Sequence, residues 1–130
     1  YYQNTDITYA YESEAVTGTY GSATAKSLTN VLYTAQNESD GLGTEGEIKE
    51  HGLKTRHKKS INSQANSLLQ TYDWYTLRAA SGGTATPSAI TTYQAAVRTK
   101  ANTHCTSIDA VSTVDALAAL TFDWPTEPTL

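Results

Sequence analysis

His51, His57, His104 and Cys105 are the side chains with which this chain could hold a soft metal or build a nucleophile and its base. Zinc needs several such ligands converging on one point, usually through short repeats such as C-x-x-C or H-x-x-x-H. Neither repeat occurs, and His104 and Cys105, being adjacent, do not easily face one ion together. A nucleophilic Cys105 or serine would need a histidine and an orienting carboxylate in one of the known local signatures, and none is present. Gly41, Gly43 and Gly46 are followed by no Lys-Ser/Thr pair, so no phosphate-cradling loop is written here. The expectation is a protein that is not an enzyme, with no catalytic residue, cofactor or metal.

Charge narrows the partners. The run Lys54, Arg56, His57, Lys58, Lys59 could bind an acidic partner or phosphate, but it stands just after Glu45, Glu47 and Glu50, and opposed charges at that distance predict a solvated helix face. A net charge of −4 argues against nucleic acid, whose phosphates need a field of Lys and Arg. No apolar run approaches the roughly 18 residues that cross a bilayer, so no membrane partner is expected. Charged residues make up only 17% of the 130. The surface must therefore be dissolved largely by hydroxyl and amide groups, which tolerate contact between subunits. Cys105, the single cysteine, has no partner within one copy, and the absence of Met together with bulky Tyr1 suggests a piece of a longer, processed product.

The elements that position these side chains fall into two parts, a β-rich portion with a loop over 1–46 and a helical domain over 47–130. Ile7, Tyr9 and Tyr11 alternate with Asp6, Thr8 and Ala10, which predicts a strand, and Glu14–Gly21 suits a second short strand bounded by turns. Between Ala25 and Ala35, Leu28, Val31, Leu32 and Ala35 favour a short helix over a competing strand, and residues 37–46 mark a loop. Lys54–Gln70 is amphipathic through Ile61, Ala65, Leu68 and Leu69. Thr86 and Pro87 supply a cap and a first helical residue for a helix over Pro87–Ile108. Its apolar stripe is Ile90, Tyr93, Val97, Ala101, His104 and Ile108. Ser112 to Asp115 reads as a capping box before a short helix over Ala116–Leu120. The fold class is α+β: a C-terminal α-helical hairpin carrying a β-rich N-terminal arm or small hairpin.

Leu68–Leu69, Asp73–Trp74, Tyr93, Ala96, Val97 and Arg98, then Phe122, Trp124, Pro125 and Pro128, follow one another in an order that resembles the phage tail assembly chaperone-like family. The stretch is also similar to the C-terminal segments of marine phage tail-fibre and appendage proteins. The likeness covers roughly Gly52 to Pro128, and Gln94 stands where the family usually has Arg. It implies a non-enzymatic bacteriophage tail protein, resident in the virion tail as a fibre, appendage or connector. Its partners would be other phage tail proteins and further copies of itself. The alternatives are a transient tail assembly chaperone in the host cytoplasm and a secreted, extracellular filament subunit assembled by its N-terminal arm.

Two sets of residues carry that expectation physically. Trp74 and Trp124 each combine a large apolar face with one N–H donor and are expected to clamp the helical hairpin, a subunit contact being the alternative. Tyr93 belongs to the core stripe, and Arg98 is expected to cap a helix or pair with Asp73. Tyr1, Tyr2, Tyr9, Tyr11 and Tyr20 crowd the N-terminal portion as candidate subunit contacts. That portion either folds back on its own helices or adds itself to a neighbour's sheet edge.

Overall fold

Alternating aromatic, β-branched and threonine residues at the N-terminus form strands that, among the described residues, pair with each other. The computed structural model describes residues 1–4 and 6–129. In it β1 (Tyr2–Asn4), β2 (Ile7–Glu12), β3 (Ala15–Tyr20) and β4 (Ala23–Ala25) make an antiparallel ribbon, β2 against β3 and β1 against β4. Gly21 N–H donates to the Asp6 carbonyl where the two ladders meet. Then come β5 (Val31–Leu32), α1 (Ala35–Ser39) and β6 (Ile48–Glu50), with β5 and β6 paired. The helical part is α2 (Leu53–Gln70), α3 (Asp73–Ala80), α4 (Ser88–Ala110) and α5 (Val114–Ala118), followed by a segment without regular structure. The fold class is α+β.

The core lies between α2 and α4. Every residue of the stripe Ile90, Tyr93, Val97, Ala101, His104 and Ile108 is buried, facing Leu53, Ile61 and Ala65 of α2 and Val114 and Leu117 of α5. Burying each large aliphatic side chain contributes about 1.5–3 kcal/mol, so this seam dominates stability. The C-terminal segment straps across it. His104 Nε2 lies 2.8 Å from the Asp123 carbonyl, between the edges of Phe122 and Trp124, whose centroids are 5.1 and 5.4 Å away. Trp124 Nε1–H donates to Gln64 Oε1 on α2, and Lys100 on α4 pairs with Asp123 at 2.6 Å.

Four local expectations are corrected. Residues 25–35 do not form a helix. Asn30 Oδ1 accepts from Gly52 N and Thr55 Oγ1, while the Ser27 and Leu28 carbonyls accept from Leu53 and Lys54 N. This backbone is spent on capping α2. Gly52 makes that approach possible, because a Cβ there would collide with the Thr29 carbonyl. The loop over 37–46 begins as helix α1, opened by a capping box between Thr34 and Asn37. The cap before α5 is Thr113, not Ser112, accepting from Ala116 N. Pro87 stands one position outside α4, and Thr86 donates to the Tyr75 carbonyl instead of capping.

Candidate functional site

The ribbon of β1 to β4 is exposed along its whole described length. Directly opposed residues of an antiparallel pair share a face, so the register puts Ile7, Tyr9, Tyr11, Val16, Gly18 and Tyr20 on one side. Thr8, Ala10, Glu12, Ala15, Thr17 and Thr19 fall on the other. One side is thus aromatic and apolar, the other small and polar. Tyr9 is 72% exposed and its ring lies across Gly18, where an added Cβ would come within 3.3 Å of Cε1. The tip is a two-residue loop, Ser13–Glu14, with φ of 52° and 66°. Both values lie in the left-handed region that Gly or Asn usually fills, at a cost on the order of 1 kcal/mol each.

The foot of the ribbon is held by its own body. Tyr2 Oη donates to Asp115 Oδ1 of α5 at 2.7 Å, which raises the Tyr2 pKa, and Tyr1 stacks 5.5 Å from His57 of α2. The five tyrosines expected as one set are therefore divided. Tyr1 and Tyr2 contact the chain's own helices, whereas Tyr9, Tyr11 and Tyr20 stand in solvent. The expectation that the ribbon folds down onto its helices holds only for the foot, since every described residue of β2 and β3 is exposed.

A second exposed patch lies where α3 meets α4. Trp74 does not clamp the helical hairpin: it is 50% exposed and stacks on Tyr75 at 3.8 Å, with the Arg78 guanidinium 4.8 Å from its ring. The interior position falls to Tyr72, which packs edge-on against Tyr93 at 5.4 Å. A helix break at Thr71–Tyr72 re-phases the chain, so the buried aromatic is two residues earlier than expected. Asp73 and Arg98 line one shallow cleft of about 270 Å³ with Thr76, Leu77 and Gln94, yet form no ion pair among the described residues. Leu77 and Arg78 were not singled out from sequence.

No protein-family model matches the chain, and neither a curated protein nor a solved structure does.

The remaining candidate residues make contacts within the chain. Arg56 pairs with Glu50 and Lys58 with Asp109, both near 2.9 Å, and Lys54 donates to the Asp109 carbonyl. The basic run thus faces its own acids and the end of α4. His104 clamps the C-terminal strap, and Cys105 Sγ points toward Asn62 Oδ1 at 3.9 Å. No group of three or more His, Cys, Asp or Glu could hold a metal among the described residues. Burial pushes the Tyr72 and Tyr93 hydroxyls above their ordinary range, while the Lys100 ammonium holds the Asp123 carboxyl below its own.

Proposed function

We propose that this chain is a non-enzymatic structural protein of a bacteriophage tail, built into the virion as a fibre, appendage or connector and acting through protein contacts. The observation that carries the reading is the N-terminal ribbon: a one-sided aromatic surface held out from a well-packed helical body. Large exposed apolar patches mark contact sites, and tyrosine is among the residues that dominate contact energy. The weakly charged, hydroxyl-rich surface suits the same use. What supports the tail in particular is the sequence pattern from Leu68 to Pro128.

Mass spectrometry of purified virions tests it. The expected result is this chain at a fixed copy number in intact particles. Absence from particles together with co-purification with a tail protein from lysate replaces it with the assembly-chaperone reading. Absence from both contradicts the tail assignment.

A further inference from the structure

We propose that copies of this chain join head to tail, the aromatic face and acidic tip of one ribbon docking on the Trp74–Leu77–Arg78–Arg98 patch of the next copy. The inference deepens the contact role proposed above and rests on it.

Charge selects the occupant. Residues 1–25 carry three carboxylates, Asp6, Glu12 and Glu14, and no Lys or Arg. Residues 53–110 carry seven basic side chains against two acidic ones. A ribbon paired with its own copy gains no opposite charge, since neither ribbon carries a Lys or Arg, although Glu12 lies on the side away from the tyrosines. A ribbon laid on the helical body of another copy meets the opposite sign. Within that body most of the basic run of α2 is already engaged, Arg56 with Glu50, Lys58 with Asp109 and Lys54 with the Asp109 carbonyl, Lys59 excepted. Arg78 and Arg98 form none of the ion pairs found among the described residues, and they flank the exposed apolar side chains Trp74 and Leu77.

Position selects the symmetry. The ribbon foot is tied to the start of α2 and to α5, while the patch follows the end of α2. With 18 residues at 1.5 Å each, α2 separates them by about 27 Å. Two different surfaces at opposite ends make a heterologous contact, which propagates as a filament or closes as a ring. The three exposed tyrosines offer roughly 400 Å², about half of what one partner contributes to a standard interface. The strand edge and the tip carboxylates supply the rest. The cleft lined by Leu77, Gln94 and Arg98 is where one of these tyrosines would rest.

Sedimentation of the full chain tests this with two surface variants, one lacking the ribbon face (Tyr9→Ser with Tyr11→Ser), one lacking the patch (Leu77→Glu with Arg98→Glu). The wild-type mass rises with concentration without stopping at a dimer. Each variant alone stays monomeric with unchanged helical circular dichroism. Mixed in equal amounts they form a dimer that grows no further, because the first keeps its patch and the second its ribbon. A mixture that stays monomeric overturns the proposal, as does a ribbon variant that still assembles. If the patch variant loses helicity, Arg98→Glu alone replaces it, and Glu12→Arg with Glu14→Arg must restore its partner. A monomeric wild type found in virions sinks this inference and leaves the tail reading intact. A wild type that polymerises but is missing from virions and lysate complexes does the reverse.

Discussion

Ile90, Val97 and Ile108 are fully buried between α2 and α4, whereas Tyr9, Tyr11 and Tyr20, which are larger, stand in water on a two-stranded ribbon. The helical seam gains its free energy within one chain, and the ribbon has no such source. Two strands without a third, or without a helix beneath them, are marginal, and the left-handed Ser13 and Glu14 add strain. The contrast teaches where stability and contact have been separated. On the proposed reading, substitutions in the seam destabilise the protein and substitutions on the ribbon change what it touches.

The largest effect is expected at the seam. Ile90→Ala leaves a cavity between α2 and α4 and lowers stability by about 2–5 kcal/mol, read as a lower denaturant midpoint at constant slope. Gly52→Ala drives a methyl into the Thr29 carbonyl and costs about 1–3 kcal/mol through the displaced cap of α2. A smaller loss, with a pH signature, belongs to the C-terminal strap. The Asp123 carboxyl is held below its ordinary 3.8 by Lys100. Its contribution is therefore whole above that value and fades as pH falls through it. Lys100→Ala should lower melting near neutrality slightly and remove part of this acid sensitivity, visible in melts between about pH 5 and pH 2. The smallest effect on the monomer is expected from Tyr9→Ser with Tyr11→Ser, within about 0.5 kcal/mol. A large loss in dilute melts would dissolve the contrast between the two regions.

The sequence disclosed those features that rest on local periodicity. The stripe from Ile90 to Ile108 reads at helical spacing and is buried at every position, and Ile7, Tyr9 and Tyr11 alternate as a strand must. What stayed hidden depends on contacts distant in the chain. Leu28, Val31, Leu32 and Ala35 have helical spacing, but Asn30 and the Ser27 and Leu28 carbonyls are drawn to the start of α2, more than twenty residues on. Trp124 was expected at the helical hairpin, yet nothing near His104 announces that Phe122 and Asp123 return with it to cover that side chain. The surfaces divided in the same way. The ribbon tyrosines were read as contact candidates and Trp74 only as an alternative one, because the break at Thr71–Tyr72, which turns Trp74 and Leu77 outward and leaves Tyr72 to fill the interior, is not written in the local pattern.

Amide hydrogen exchange on the full chain, followed from dilute to concentrated solution, measures the two regions at once. In dilute solution the amides of β2 and β3 should exchange within seconds while those of α2 and α4 are strongly protected, and concentrating the protein should slow the ribbon amides at least tenfold. Ribbon amides as protected as the helices in dilute monomer would contradict the separation of stability from contact.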